Sequence, residues 1–583
     1  MAFEDKFRYE YNYLKELGRL IAKNRPTLEP FLSENSIDQD VEKLLEGAAF
    51  LFAGLKSRIS DSFPEMTRDL LDSVWPESLY PFPSTTLIQF SAPQGLEGIT
   101  IPADVEVYGD IHGEECIFRT LSPLLLTPLT LKQTNQRDEH YGSVLVLEFN
   151  WSGKVEKKTT LLSRLPVFID ESIACCEQLR LYLEQHILRI ELTTSESEDI
   201  KIMPSNCITT GHGNTFVCAA ENPSKEPLQQ AIEYFTLTKI NNFFFINDMD
   251  ITLDLVENNK FNINIIFDSI LPVKLKPKSL VLHCSPAVNL FYRDNEPVLC
   301  EVGKKYYINS EYKNDVIHSV VGIRSKLSPS KKETRIKSEF VKYNKIKTQD
   351  DYLIRRKERR FVFWRIEVEH HNFAMKNHQV VFYNSFGEKV SIWGDKYAQF
   401  HLKCMNSKQI LDSFDVECPV HKSENIPGGV ICRNMVLPSP SCQQLENEGL
   451  YLDLISLLSF SFFHLKSSDE FKRILKILSF YSKGDFNLRA DSQRKISGIT
   501  KVEAYSSDRL YMGCSRRGTY MKITLDNSFY LSMGEMYIFV LMINRLIPYS
   551  VTAASFTQLD VYITENNSCL WSFPISIGCH EAF

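Results

Sequence analysis

The sequence predicts an α+β multidomain protein: an N-terminal α-helical segment, β-rich antiparallel middle domains and a mixed α/β C-terminal domain. Three observations carry this. Apolar residues recur at helical spacing up to Pro76, where helix formation stops. From Thr85 the text changes to short strand-like runs separated by Gly and Pro. From Leu450 helical spacing returns and alternates with strands. A chain of 583 residues exceeds one core, and the expected divisions are 1–80, 81–300, 301–440 and 441–583.

Residues 1–25 read as a first helix, with Phe7, Leu14, Leu17 and Ile21 on one face and Pro26 ending it. Asp40 is a candidate N-cap for the next helix, and Ser36 with Gln39 is a competing capping box. Val41, Leu44, Leu45, Ala48, Phe52, Leu55 and Ile59 recur at spacings of three and four, so they share a face. Gly47, Ala48, Ala49, Ala53 and Gly54 are small enough to admit a closely packed second helix. Pro64 suits the first turn of a following helix, on which Met66, Leu70, Leu71, Val74 and Trp75 form an apolar face. That stripe is either internal core or one side of a bundle shared with another chain; helices this apolar ahead of a β-rich body favour the shared bundle.

Strand-like runs follow at Leu87–Phe90, Ile99–Pro102, Val105–Tyr108 and Ile117–Thr120. Val144–Phe149 is nearly all apolar, as a strand buried on both faces would be. A helix is expected over Ser172–Glu184 and a short one at Ala231–Phe235. Strands resume at Phe243–Ile246, Ile251–Leu255, Phe261–Phe267, Ser279–Leu282, Tyr306–Asn309 and Val316–Ile323, then at Phe361–Val368 and Gln379–Tyr383. Asp415–Pro440, rich in Pro, Gly and Cys, reads as a linker or long loop. Near the C-terminus, strands at Gly498–Tyr505 and Lys522–Leu525 flank a turn at Ser515-Arg516-Arg517-Gly518. A helix over Glu535–Ile547 and strands at Gln558–Ile563 and Trp571–Ile577 complete the chain.

Bulk properties narrow the function classes. A net charge of −7 opposes a dedicated nucleic-acid binder. The charged start MAFEDKFRYEYNY lacks the apolar core of a secretory signal. The most apolar runs, Leu450–Leu465 and Met536–Pro548, fall short of a bilayer span and read as buried helices. The 14 cysteines, without a C-x-x-C pair, read as reduced thiols of a cytosolic protein.

Catalytic patterns are missing from the text. There is no G-x-S-x-G, H-E-x-x-H or phosphate-loop G-K-[ST], and no carboxylate pair is singled out by spacing. Cys418 and His421 with Cys432 and Cys442 form one close pair where zinc usually takes two, so ordinary thiols are expected and no metal site. Glu369-His370-His371 with His378 places adjacent histidines on opposite strand faces. Gly211-His212-Gly213 reads as a turn. Residues 324–360 hold 14 Lys/Arg against 5 Asp/Glu and read as a solvated basic insertion, with an arm for an acidic partner as the second reading. Arg516 and Arg517 are candidates for inter-subunit contacts, or for pairing a local acid such as Asp526.

Several blocks resemble one family, in that family's order. They are Tyr9–Gly18, Asp40–Gly47, Phe63–Thr67, Trp75-Pro76 and Pro81–Ser84, then Cys116–Thr120, Glu233-Tyr234-Phe235, Cys284–Phe291, Arg516-Arg517-Gly518 and Ser555–Leu559. The family is TssF, also called ImpG or VasA, a baseplate subunit of the bacterial type VI secretion system. The chain departs from the family pattern in its long basic stretch 324–360 and in Asn544-Arg545, where a glutamate-arginine ending is usual. The resemblance implies a structural, non-enzymatic role in a cytoplasmic wedge docked at the inner-membrane secretion complex. Two TssF copies would join one TssG, with TssK, TssE and the VgrG spike hub attached, and the sheath assembling on the platform. No cofactor, nucleic acid or direct membrane contact is implied. Leu14, Leu17, Val41, Leu44, Leu45, Ala48, Phe52, Leu55, Leu70 and Trp75 would then supply the partner-binding bundle. The alternative class is a β-rich soluble enzyme or effector whose active site assembles across the sequence.

Overall fold

The computed structural model describes most of residues 67–583. Its larger gaps there are 92–97, 153–158, 195–200, 212–224, 253–259, 300–305, 309–314, 328–338, 343–360, 384–395, 443–447 and 459–467. Before 67 it describes only 7–8, 11, 14–15, 43–44 and 46–51. The helices used below are α1 (Ile173–Gln185), α2 (Glu226–Thr236), α3 (Glu448–Leu458), α4 (Ser468–Leu478), α5 (Phe486–Ser497) and α6 (Met533–Leu546).

The chain divides into two compact units, 1–79 with 446–459 and 80–445 with 460–583. In the first, described residues 46–51 and 67–74 are helical, Pro76–Leu79 form a 3-10 turn, and α3 belongs to the same unit. Leu71 and Trp75 are buried, as are Leu450, Leu454, Leu457 and Leu458 of α3. Most of the expected N-terminal helices, with Leu17, Val41, Leu45, Phe52 and Leu55, lie outside the described residues.

The second unit is built from antiparallel sheets. A six-stranded barrel closes in the order 85–91, 284–288, 114–120, 106–111, 419–422 and 431–434. Closure leaves no unpaired strand edge. Phe90, Val107, Phe118, Ala287 and Cys432 fill its interior. The text at 415–440, read as a linker, instead supplies two barrel strands. Pro419 and Val420 pair with Arg433 and Cys432, His421 pairs with Tyr108, and Phe90 with Cys432. Four-residue strands carry too little apolar alternation to be read as strands, and the neighbours that close them into the barrel, 106–111 and 85–91, lie hundreds of residues away.

Beside the barrel, a five-stranded sheet (201–203, 187–194, 260–267, 142–151, 129–139) faces a four-stranded one (208–210, 243–252, 159–169, 280–282). Leu145, Leu147, Phe149, Ile263 and Ile265 of the first meet Leu165, Val167, Phe244 and Ile246 of the second in one core. Cys176, Leu179 and Leu183 of α1 join that core. The strand 142–151 is buried at eight of its ten positions, matching its continuous apolar text. A second pair of sheets, around the strands 396–406 and 361–371, shares a core containing Trp364, Phe382, Phe400 and Leu402. The basic stretch enters this region as strand through Leu327 and again at Glu339–Lys342; its remainder lies outside the described residues.

A buried amide pair links the barrel to that second sandwich. Asn289 Nδ2 donates to the Ile117 carbonyl and to Asn406 Oδ1, each at 2.7 Å, and Asn406 N donates to Asn289 Oδ1 at 2.7 Å. Ile117 N donates to Asn406 Oδ1 at 3.0 Å. Asn289→Leu removes one side of this set and strands the buried Ile117 carbonyl and Asn406 N–H. The expected cost is ~3 kcal/mol, since each orphaned buried group costs ~1–3 kcal/mol. Chemical denaturation checks it; an unchanged midpoint would show that the pair is dispensable.

The C-terminal sheet runs 499–511, 514–525, 556–563, 569–572. Strands 514–525 and 556–563 are parallel, and α6 lies in the crossover between them. Ser515-Arg516-Arg517-Gly518 is therefore not a turn. It lies inside a long hairpin, with Arg516 opposite Arg509 and Arg517 opposite Asp508. Gly518 sits where the parallel strand passes closest, and an added Cβ would overlap the Phe556 carbonyl oxygen. A glycine inside strand text read as a turn signal is here a close-approach signal.

Candidate interaction surfaces and a buried helix junction

Half of the sequence-derived bundle residues are described, and their burial differs. Among those described, Trp75 is fully buried, Leu14 and Ala48 are half-buried, and Leu44 and Leu70 are exposed at 73% and 50%. Ala49, one position off the expected face, is the buried alanine of that helix. Phe50 and Leu51 are also exposed, at 57% and 68%. Leu44 and Leu51 are two helical turns apart and share a face. Side chains this large, grouped at helical spacing and left in solvent, are the composition of a docking surface rather than of an isolated surface leucine.

Arg517 is exposed, and its Nε donates to Ser506 Oγ at 2.9 Å. Asp526, the acid expected to pair with these arginines, instead caps the 3-10 turn Asn527–Phe529 by accepting from Ser528 N at 2.9 Å. The residues of the candidate metal cluster also part company. Cys432 is inside the barrel and Cys442 bridges to Phe82, while Cys418 lies outside the described residues.

The most polar interior site was not anticipated from the sequence. It lies where α6 crosses α1, α2 and α5. Contact between α6 and α1 requires Gly534: a Cβ there would overlap the backbone of Glu177 and Gln178. The Gly534 N–H donates to Gln178 Oε1 at 2.9 Å, and the Tyr537 hydroxyl donates to Glu184 Oε2 at 2.6 Å. At the start of α6, Ser532 caps the helix by accepting from Glu535 N at 3.1 Å. Glu535 reaches back to accept from Leu531 N at 2.6 Å, one residue before the N-cap, so Ser532-x-x-Glu535 closes the helix start in a variant of the capping box.

Glu535 is 2% exposed and does more than cap. It accepts two hydrogen bonds from Arg494 of α5, at 2.6 and 2.9 Å, in a fork. Lys495 lies 3.4 Å from Glu535 and 2.7 Å from Asp491. Burial alone would raise the Glu535 carboxyl; the Arg494 hydrogen bonds, the Leu531 N–H and the Lys495 charge hold it below its ordinary value. Glu177 of α1 shows the opposite balance. Burial pushes its carboxyl up to about 7, against the pull of Lys495. These groups line a cavity of about 360 Å³, together with Arg180, Tyr234, Ile538, Met542 and Arg545. The capping box and the Asp491–Arg494–Lys495 spacing were legible signals; that α5 and α6 meet was not.

Among the described residues no group of three or more His, Cys, Asp or Glu is placed to hold a metal ion, and no helix is long and apolar enough to cross a membrane.

Barrel, paired sheets and a helix-crossed C-terminal sheet define a multidomain β-rich protein with apolar side chains held out on its N-terminal helical residues. The profile described as "Type VI secretion system, TssF" matches residues 1–580, and the chain belongs to the TssF family. It is similar to the type VI secretion system component TssF1 of Pseudomonas aeruginosa strain PAO1, at 27% identity over 139 residues. That match spans 22% of this chain and 22% of the relative. In fold it resembles a chain of the TssK-TssF-TssG baseplate subcomplex of a type VI secretion system, with a TM-score of 0.73 at 19% identity, covering 92% of this chain and 99% of that one. It also resembles a chain of a type VI secretion system baseplate complex, with a TM-score of 0.58 at 18% identity, covering 97% of this chain and 98% of that one.

Proposed function

We propose that this chain is a structural subunit of a type VI secretion system baseplate wedge. The carrying observation is the fold likeness along nearly its whole length to a chain of a TssK-TssF-TssG subcomplex, joined to family membership over residues 1–580. Two copies pair with one TssG through the N-terminal helices. TssK and TssE attach to this wedge, the VgrG hub sits against it, and the sheath polymerises on the assembled platform. The chain works in the cytoplasm and performs no catalysis. The outward Leu44, Phe50, Leu51 and Leu70 support a bundle completed by a partner. Arg516 and Arg517 are assigned to contacts between copies or with the hub, which suits the exposure of Arg517.

Leu44→Asp with Leu51→Asp tests the bundle. Both side chains are exposed, so the fold is expected to survive, whereas burying two carboxylates in a shared bundle costs several kcal/mol. Co-expression with a TssG-family partner and native mass measurement should give a complex with two copies of this chain, and the double variant should lose it. A variant that still assembles would sink the bundle assignment. A native chain that ignores the partner would sink the wedge.

A further inference from the structure

We propose that the cavity between α1, α2, α5 and α6 binds a small organic anion, whose carboxylate or phosphate meets Arg180 and Arg545 and whose apolar part lies along Ile538 and Met542. Arg180 is 6% exposed, lines the cavity and forms no ion pair among the described residues. Its Nε has no hydrogen-bond partner. A guanidinium carries five donors and stays charged, so leaving one buried without an acceptor is costly. Arg545, in the last turn of α6, lines the same cavity and likewise forms no ion pair among the described residues. Glu184 and Glu177 attract the Arg180 guanidinium without pairing with it, Arg545 repels it, and an anion between the two arginines would reverse that repulsion.

The acids nearby form no ion pair with either arginine among the described residues. Asp491 and Glu535 are taken up by Arg494 and Lys495. Glu184, one turn along α1 from Arg180, accepts from the Thr210 and Tyr537 hydroxyls. Glu177, whose carboxyl is pushed up to about 7 by burial, is about half neutral at pH 7. Tyr234 also lines the cavity, and its buried hydroxyl has no hydrogen-bond partner. Two lining residues with unanswered donors, a flanking cation and apolar walls around about 360 Å³ are the makings of a site for a small amphipathic anion.

The test is calorimetric titration of the full-length chain with three probes that share one tail: hexanoate, hexyl phosphate and hexanol. At least one anion is expected to bind tenfold or more tighter than hexanol; which one identifies the head group. Arg180→Gln and Arg545→Gln should each weaken that anion tenfold or more and leave hexanol unchanged. Arg545 is exposed, so its variant is expected to fold even if Arg180→Gln does not. Hexanol binding as tightly as both anions, no binding of either anion, or an anion affinity untouched by Arg545→Gln would each overturn the proposal.

Discussion

Glu535→Ala is expected to lower stability by about 3–5 kcal/mol, the cost of removing one partner from a buried charge pair. The carboxylate is 2% exposed and answers four donors: the Arg494 fork, Lys495 and the Leu531 N–H. Alanine leaves Lys495, itself 7% exposed, with its ion pair to Asp491 but without the one to Glu535, and opens the first turn of α6. Because α6 crosses α1 through Gly534, that turn cannot shift without parting from α1. Urea unfolding followed by circular dichroism reads the loss. Glu535→Gln keeps the shape and the Leu531 contact but loses the charge, and should fall between the two. Equal stability of all three would mean that the network contributes no net energy.

Acid should destabilise the second unit between pH 6.5 and 4, through two histidines. Burial pushes His318 down to about 3 and His283 down to about 4. The geometry at His283 agrees, because the Thr127 N–H points at its Nε2 at 3.3 Å, which makes that nitrogen an acceptor. Both rings are neutral when folded and titrate near 6.5 when unfolded. The unfolded chain therefore binds protons first as pH falls, and stability is full above pH 6.5 and lost on the way to the folded values. Each ring contributes about 3 kcal/mol by pH 4, His283 somewhat less because it is partly exposed. The His318 ring packs at a tilt against Tyr80, centroids 5.1 Å apart, so His318→Phe keeps the ring contact and should flatten the pH profile. His283 has a left-handed backbone (φ 58°), which asparagine tolerates, so His283→Asn is the matched variant there. Midpoints measured at pH 7 and pH 4 check both; an unaltered pH slope in both variants would refute the assignment.

Where a signal was local, the sequence carried it to the structure. The continuous apolar text at 144–149 became a strand buried on both faces. The expected helices at 172–184 and 535–547 became α1 and α6 with ends shifted by two residues or fewer. Cys432, read as an ordinary thiol, is buried in the barrel core. The misreadings share one cause. Pro, Gly and Cys at 415–440 and Arg-Arg-Gly at 516–518 signal irregular backbone locally, yet both supply strand residues, each held on one side by a strand distant in sequence. Pairing with a remote strand overrides local propensity, and nothing local encodes the remote strand.

The sequence by itself determined the order of β-rich and mixed regions, and family membership through blocks spread along the chain. Periodicity and turn chemistry act within a few residues of one another, which is why a single chain of letters can carry them. Only the tertiary structure decided that residues near 420 and 432 close a barrel begun at 85, and that Asn289 meets Asn406. It alone brought Glu535 to Arg494 and left Arg180 and Arg545 facing one cavity. Those placements depend on how separately formed elements pack, and buried charges settle by what surrounds them rather than by what precedes them in sequence.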